Sequence, residues 1–315
     1  MKDNFCYIHI PFCSSKCKYC RFASYWNIDL VKINIYVEKL ILEINNSWFT
    51  IDNNIIKSIY FWWGTPSILW IEQLEKIINA LKSKYDFDKN IEITIESTTK
   101  TLTKEKLIWW KNLWINRISL WVQTLNSDSL NEIWRWGKVD ILSALWNISE
   151  YNWYHNISID FIIWLPYVKQ WEVKSNIEFL LNNYSFINHI SVYMLEDYYE
   201  KWIDSMEQIV NDNKFQKIIY PKDWKKLWIK EEDYLWEYLD IKEFLKSKRF
   251  NSYEISNFSK SGYECKHNKS YWNHSNVLPF WLWAHWLLNN VRFNNSEDFS
   301  SYYLGTQKNW LFSFH

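Results

Sequence analysis

The order of apolar segments along the chain limits its fold more than any other feature of the sequence. Short runs rich in Ile, Val, Tyr and Phe alternate with longer segments in which apolar residues recur at helical spacing. The runs that predict strands are 6–10, 56–61, 91–96, 115–121, 157–163 and 189–195. The helical segments are 71–85, 103–113, 139–151 and 171–182, with an earlier one that begins after Asp29 as its N-cap. Strand followed by helix, repeated about six times, predicts a parallel sheet with covering helices, most simply a partial or full (β/α) barrel.

The pattern changes in the last third of the chain. A charged helical run over 222–249 precedes short aromatic-rich pieces, and no low-complexity linker separates the two parts. We therefore expect a barrel domain over 1–220 and a smaller C-terminal region over 221–315. In barrels of this kind the chemistry lies at the carboxyl ends of the strands.

Charge and hydropathy exclude several classes of protein. Lys plus Arg and Asp plus Glu both number 36, so net charge gives no reason to expect binding to nucleic acid. No run of 18 apolar residues occurs, so no transmembrane segment is predicted, which leaves peripheral contact with a membrane open. The first residues lack the charged region, long apolar run and cleavage site of a signal peptide.

The cysteines point to a reducing compartment. Four of the five lie within the first 20 residues and the total is odd, which does not suit the disulfide framework of a secreted protein. Together with the missing export signal, this predicts a cytoplasmic protein. Clustered thiols in that compartment indicate metal ligands or redox groups.

Cys13, Cys17 and Cys20 form a C-x3-C-x2-C loop directly after the first predicted strand. Three thiolates on one short loop can hold three irons of a [4Fe–4S] cube and leave the fourth iron open for a small ligand. A zinc site would need a fourth ligand, for which His9 is the nearest candidate, and usually a second Cys pair, which is missing nearby. A disulfide redox site needs only C-x2-C. The pattern favours the cluster.

Tryptophan and glycine occur in unusual numbers, 24 and 4, although glycine usually makes up about 7% of a chain. Several tryptophans lie where the predicted elements end and the chain must turn. They are Trp62, Trp63, Trp114, Trp134, Trp136, Trp153 and Trp164. At helix C′ positions, expected for Trp114 and Trp153, left-handed geometry favours glycine. An aromatic-rich protein with unusual loops is one explanation. We favour the other, in which most of these codons are UGA, read as glycine by the organism and translated here as tryptophan.

The segment Y-I-H-I-P-F-C-x3-C-x-Y-C over 7–20 resembles the opening of the radical S-adenosylmethionine (SAM) superfamily. More narrowly, it is similar to the group that includes oxygen-independent coproporphyrinogen III oxidase and the HemW haem chaperones. The resemblance continues through F-W-W-G-T-P-S at 61–67, R-I-S-L-W-V-Q at 117–123, D-F-I-I-W-L-P at 160–166, Y-E-I-S-N-F at 253–258 and H-N-K-S-Y-W at 267–272. Most departures are Trp where the family has Gly, whereas Trp272 belongs to the family pattern.

The resemblance implies a partial (β/α)6 barrel, a [4Fe–4S] cluster on Cys13, Cys17 and Cys20, and bound SAM. In such proteins one electron passes from the cluster to SAM and its C–S bond breaks homolytically. The positions that match SAM contacts are Tyr7, Tyr19, Trp63, Gly64, Thr65, Glu96, Gln123, Arg135 and Asp160. A carboxylate suits a ribose or an ammonium group, and a guanidinium suits a carboxylate. No catalytic residue is assigned.

Three features favour the chaperone branch within this group. The oxidases carry a further cysteine two positions beyond the third ligand, where this chain has Phe22, and they carry an N-terminal extension. The chaperone branch carries the H-N-x-x-Y-W motif, in which His267 is a candidate axial ligand to haem iron, with Cys265 as a second candidate. The resemblance thus implies a radical SAM haem chaperone that delivers haem to apo-haemoproteins, such as those of the respiratory chain.

Two other functions remain open from the sequence. One is oxidative decarboxylation of coproporphyrinogen III in porphyrin biosynthesis, and the other is radical SAM chemistry on an unrelated substrate. The family continues past the motif at 267–272 into a compact domain, whereas this sequence stops at His315. We therefore expect the C-terminal region to be truncated relative to the family.

Overall fold

The computed structural model describes residues 2–20, 24–47, 51, 53–135, 137–151, 153–195, 231–280, 285–288, 291–295 and 312–313. Phe22, Trp136 and residues 222–230 of the predicted charged helix lie outside this set. Within the described residues, no helix has both the length and the apolar character needed to cross a membrane.

Six parallel strands form the centre of the molecule. They are β1 (Asn4–His9), β4 (Ile55–Trp62), β5 (Asp86–Thr98), β6 (Arg117–Gln123), β7 (Ile157–Ile163) and β8 (Ile187–Met194), side by side in chain order. Two short strands, β2 (Phe12–Cys13) and β3 (Tyr25–Trp26), pair separately beside the cysteine loop. The predicted partial (β/α)6 barrel is confirmed.

Helices between the strands cover one face of the sheet. They are α1 (Leu30–Asn46), α2 (Ile71–Lys84), α3 (Lys104–Asn112), α4 (Ser127–Glu132), α5 (Lys138–Ser149) and α6 (Glu172–Asn183). Asp29 caps α1 as expected, because its side chain accepts from the backbone N–H of Lys32 at 2.8 Å. The helices bury the apolar residues of the strands, such as Ile8, Ile59 and Ile95, in one continuous core.

The other strand residues face the interior of the barrel and are mostly polar. They include Tyr7, His9, Ser58, Tyr60, Glu92, Thr94, Glu96, Arg117, Ser119, Ser158, Asp160, His189 and Ser191. These side chains are buried, which differs from the packed apolar interior usual in closed barrels. A buried polar interior requires internal hydrogen bonds or a polar ligand.

The C-terminal part extends the same sheet. After α7 (Glu231–Ser247) and β9 (Asn251–Ser252), β10 (Asn257–Ser259) pairs antiparallel with β8. Helix α8 (Lys266–Trp272) leads into β11 (Asn276–Phe280), which pairs parallel with β1. Strands β12 (His285–Leu288), β13 (Val291–Asn295) and β14 (Phe312–Ser313) continue that edge. A division between 1–220 and 221–315 stays a prediction.

Strand β5 is longer than the sequence pattern indicates, since it begins at Asp86 instead of Ile91. Its first residues, D-F-D-K-N, contain no apolar run, but Asp86 and Phe87 pair with Ile55 and Ile56 of β4. Pairing with a neighbouring strand, which local hydropathy does not register, extends the element.

Candidate functional site

Cys13, Cys17 and Cys20 lie together at the carboxyl end of the barrel, on the loop that follows β1. All three are half-buried, and the turn is closed by a hydrogen bond from the backbone N–H of Cys20 to the carbonyl of Cys17 at 3.0 Å. Burial raises the pKa of Cys13 to about 11, although the hydrogen bond from Thr65 lowers it. Metal binding at this thiol would therefore release a proton.

The loop after β4 fixes the start of the cysteine loop. The N–H of Ile10 donates to the carbonyl of Trp62 at 3.0 Å, and the N–H of Thr65 donates to the carbonyl of Phe12 at 2.6 Å. Between them Gly64, with φ of 46°, approaches so closely that an added Cβ would lie 2.2 Å from the carbonyl oxygen of Ile10. Only glycine fits this contact. Gly64 therefore allows the loop after β4 to pack directly against the backbone at the start of the cysteine loop.

Glu96 and Asp160 are buried carboxyl groups in the barrel interior. The Tyr60 hydroxyl donates to Glu96 Oε1 at 3.2 Å, while Glu96 Oε2 is buried without a hydrogen-bond partner. Ser119 donates to both carboxylate oxygens of Asp160, at 3.2 and 3.4 Å. Burial raises the pKa of Glu96, with repulsion from Asp160 adding to it, and burial raises the pKa of Asp160. A cationic group placed here would stabilise their ionised forms.

The other predicted contacts lie near this end of the barrel. Gln123 ends β6 with φ of 68°, and its Oε1 atom is buried without a partner. The Tyr7 hydroxyl lies 3.0 Å from His9 Nδ1, and His9 Nε2 is buried without a partner. Tyr19 packs against the small apolar cluster of Ile133, Ile162 and Leu165. Arg135 points to the cysteine loop, with Nη1 3.7 Å from Cys17 Sγ.

The indoles of Trp62 and Trp63 lie over these polar groups. The Trp62 ring lies 5.9 Å from that of Tyr7 and 5.3 Å from that of Tyr60, between centroids. The Trp63 ring lies 5.5 Å from that of His9. Both indoles therefore pack against side chains of the strand ends where the resemblance predicts SAM contacts.

Five tryptophans have left-handed backbones: Trp63, Trp114, Trp134, Trp164 and Trp171, with φ between 58° and 71°. They make up half of the ten non-glycine residues with positive φ among the described residues, although bulky side chains rarely adopt this conformation. Trp114 and Trp134 each end a helix in a Schellman motif, with the paired bonds 114→111 and 115→110, and 134→131 and 135→130. Glycine is the usual residue at this position. The backbone thus supports glycine at these sites, and codon identity stays a prediction.

The structure differs from the sequence-based expectation at two tryptophans, Trp153 and Trp171. Trp153 was expected at a helix C′ position, but α5 ends at Ser149 with Glu150 as its C-cap, so this prediction was wrong. Its ring lies 4.7 Å from that of Tyr151, and Lys111 Nζ lies 4.1 Å from it. Trp171, which was not among the tryptophans expected at glycine positions, is left-handed at the N-cap of α6.

His267 lies on α8 towards the amino end of the barrel, and its ring is 6.3 Å from that of Tyr7 and 5.2 Å from that of Tyr60, between centroids. It is fully buried, and both ring nitrogens have partners, since Nδ1 is 3.1 Å from Ser58 Oγ and Nε2 is 3.1 Å from the Tyr271 hydroxyl. Burial, with the nearby charge of Arg117, lowers its pKa to about 3. Binding to haem iron would require one of these hydrogen bonds to open, and this role of His267 stays a prediction. Cys265 is likewise buried, with its thiol 3.5 Å from Glu92.

Sequence patterns did not single out the other polar groups at the amino end. His189 connects Ser158 and the Tyr253 hydroxyl, at 2.7 Å on each side. Glu92 accepts from the backbone N–H groups of Lys266 and His267 at 3.2 and 3.4 Å. The only available signal was a polar residue at every second position of a buried strand, which predicts an inward-facing polar side chain but no partner.

Among the described residues, no group of three His, Cys, Asp or Glu side chains converges on one point in a way that would hold a single metal ion. A [4Fe–4S] cluster places one thiolate on each of three different irons, so it does not require such convergence. The three half-buried thiols, with hydrogen-bond donors from Arg135 and Thr65, suit the cluster. Tyr7, Glu96 and Gln123 suit SAM in chemistry, and the indoles of Trp62 and Trp63 pack against Tyr7 and His9 beside them.

A family model described as the Radical SAM superfamily matches residues 7–180, more than half of the chain. The haem chaperone HemW of Buchnera aphidicola subsp. Acyrthosiphon pisum is 31% identical over 305 residues, covering 94% of this chain and 75% of that protein. HemW of Lactococcus lactis is 32% identical over 297 residues, covering 93% and 72%. The chain belongs to the HemW family of the radical SAM superfamily.

A solved structure shares the fold of this chain. Coproporphyrinogen III oxidase (HemN) from Escherichia coli superposes with a TM-score of 0.74 at 17% identity, over 98% of this chain and 70% of that one. At this identity the likeness shows a shared fold only. The relatives at about 30% identity carry the HemW name, which favours the chaperone branch over the oxidase branch.

Proposed function

We propose that this protein is a cytoplasmic haem chaperone that carries a [4Fe–4S] cluster and passes haem to apo-haemoproteins. The observation that supports it most is the coincidence of two facts: three thiols share one loop at the carboxyl end of a radical SAM barrel, and the relatives at about 30% identity are HemW chaperones. Delivery to proteins of the respiratory chain is part of the same proposal.

Cys13, Cys17 and Cys20 would hold three irons of the cluster, which supplies one-electron transfer when bound. The chain's own contribution is to position these thiols and to exclude water. Thr65 donates to Cys13 Sγ at 3.5 Å, and the backbone contacts of Gly64 and Thr65 fix where the loop begins. Glu96 and Asp160, buried near each other in the barrel interior, provide a place for a cationic group.

SAM binding is proposed for the form of the protein with glycine at the tryptophan positions of the strand ends. The residues proposed to contact it are Tyr7, Tyr19, position 63, Gly64, Thr65, Glu96, Gln123, Arg135 and Asp160. The glycine form is specified because the indole of Trp62 lies 5.9 Å from the Tyr7 ring and that of Trp63 lies 5.5 Å from the His9 ring, between centroids.

Haem titration of the reconstituted protein tests the chaperone function. We expect a saturable change in the haem Soret band, and transfer of the haem when an apo-haemoprotein is added. Conversion of coproporphyrinogen III to its decarboxylated product in the presence of SAM and a reductant would instead support the oxidase, for which the HemN-like fold is the specific observation.

Two variants test His267 as the axial ligand. If Nε2 binds iron, His267→Ala should bind haem roughly tenfold more weakly, a loss of about 1.4 kcal/mol. Tyr271→Phe removes the hydroxyl that occupies Nε2 and should strengthen binding. Identical spectra and affinity in wild type and His267→Ala would remove His267 as a ligand and leave the chaperone proposal intact.

A further inference from the structure

The segment that follows α4 holds the cysteine loop from one side. The backbone N–H of Lys18 donates to the carbonyl of Ile133 at 3.2 Å. The Lys18 ammonium forms an ion pair with Glu132 at 2.6 Å, with side chains only 17% and 28% exposed. A half-buried pair with a backbone bond beside it fixes geometry better than a surface pair does. These contacts tie residues 132–133 to the loop between Cys17 and Cys20.

Arg135 adds a direct contact with a thiol. Its Nη1 donates to Cys17 Sγ at 3.7 Å, and its Nη2 donates to the carbonyl of Trp121 at 2.7 Å. The planar guanidinium therefore connects the carboxyl end of β6 to the cysteine loop. The turn at Trp134, with φ of 58°, ends α4 and directs Arg135 towards the loop, while the Arg135 N–H donates to the carbonyl of Leu130 at 2.8 Å.

The donors to Cys13 and Cys17 differ in charge. Cys13 accepts from the neutral Thr65 hydroxyl at 3.5 Å. A positive charge and a hydrogen bond at one sulfur stabilise the reduced cluster, which carries one more negative charge, over the oxidised cluster. Arg135 therefore has the position and the charge to raise the reduction potential of the cluster.

We propose that Arg135 is a positioning residue for the cluster, holding Cys17 and raising the reduction potential, with Glu132 and Ile133 fixing the loop through Lys18. This inference rests on the cluster part of the proposed function and adds a role that the SAM contact does not include. It requires neither SAM nor haem to be bound.

The test is anaerobic reconstitution of the full chain with iron and sulfide, followed by an EPR-monitored redox titration with dithionite, without SAM. We expect Arg135→Gln to have a more negative midpoint potential than wild type. Arg135→Lys, which keeps the charge but loses the planar fork, should show a smaller shift. Thr65→Val, which removes the neutral donor, should also shift the potential less than Arg135→Gln.

Two controls separate this role from general effects. Arg249→Gln removes an exposed arginine beyond α7 and should keep the wild-type potential. Glu132→Gln should lower the iron content or slow cluster assembly, while the cluster that does form keeps the wild-type potential.

The outcomes are distinguishable. Equal potential and iron content in wild type and Arg135→Gln would overturn the role of Arg135 and leave the cluster proposal standing. A wild-type chain that takes up no iron would overturn the cluster and this role together. Loss of the cluster in Arg135→Gln, with circular dichroism and thermal unfolding unchanged, would support the holding role.

Discussion

The two ends of the barrel use buried polar residues in different ways. At the amino end, His189 and His267 have hydrogen-bond partners on both ring nitrogens, and Glu92 accepts several donors from the start of α8. At the carboxyl end, His9 Nε2, Glu96 Oε2 and Gln123 Oε1 are buried without partners. Unsatisfied buried groups are costly, which supports a ligand site at the carboxyl end, whereas these groups at the amino end satisfy one another.

Arg117 is the exception at the amino end. Its Nε and Nη1 atoms are buried without hydrogen-bond partners, as is the hydroxyl of Thr94, which lies opposite it on β5. The contrast between the ends is therefore one of degree, and substitutions at each end can measure it.

The largest expected effect is at the cysteine loop. Cys17→Ala should abolish formation of the [4Fe–4S] cluster, because a cube held by two thiolates lacks one of its protein ligands. Iron and sulfide analysis after anaerobic reconstitution measures this. The control Cys6→Ala removes a fully buried thiol outside the loop and should keep the cluster. Full iron content in Cys17→Ala would contradict the assignment of the loop.

The second prediction concerns the indoles at the carboxyl end. The chain with glycine at 62, 63, 121 and 164 should bind SAM, whereas the chain with tryptophan there should bind poorly or not at all. Isothermal titration with SAM measures the difference. Equal affinity of the two chains would show that our account of these positions is wrong.

Trp114→Gly tests the backbone argument away from that site. Relief of a left-handed tryptophan should stabilise the fold by about 1–2 kcal/mol without any change in SAM binding. The control Trp110→Gly opens a cavity at a residue only 1% exposed and should destabilise by roughly 4 kcal/mol. Urea unfolding measures both, and destabilisation by Trp114→Gly would contradict the preference for glycine there.

At the amino end, Glu92→Ala should lower the free energy of unfolding by about 3 kcal/mol, because it leaves the donors at the start of α8 buried without an acceptor. Cluster content should not change. Glu75→Ala, at an exposed position of α2, should stay within about 0.5 kcal/mol of wild type. Loss of iron from Glu92→Ala with unchanged stability would contradict this contrast between the two ends of the barrel.

The smallest effect is a pH dependence. His267 is neutral in the fold with a pKa of about 3, below its ordinary value of 6.5, so acid favours the unfolded chain, which takes up the proton first. From pH 7 to pH 5.5, the free energy of unfolding of wild type should fall by about 1 kcal/mol more than that of His267→Asn. Urea unfolding of both proteins at the two pH values gives the difference. Equal losses would show that His267 is not held neutral.

Much of the fold could be predicted from local pattern. Strand–helix alternation predicted the six parallel strands and the helices between them, and the cysteine spacing predicted which residues share a loop. The predicted helix 71–85 differs from α2 by one residue, because its amphipathic pattern coincides with the element. The start of β5 and the position of Trp153 were missed, since strand pairing and the true end of α5 decide them.

By itself, the sequence determined the class of fold, the cysteine loop and the excess of tryptophan at turns. These depend on residue type and spacing over a few positions. The tertiary structure decided which polar groups meet: His267 with Ser58, 209 residues apart, and Arg135 with Cys17, 118 residues apart. It also assigned Trp171 to the left-handed set and ended α5 before Trp153. The physical reason is that hydrogen bonds between distant segments, and the backbone angles that packing imposes, are set only when the strands have paired and the barrel has formed.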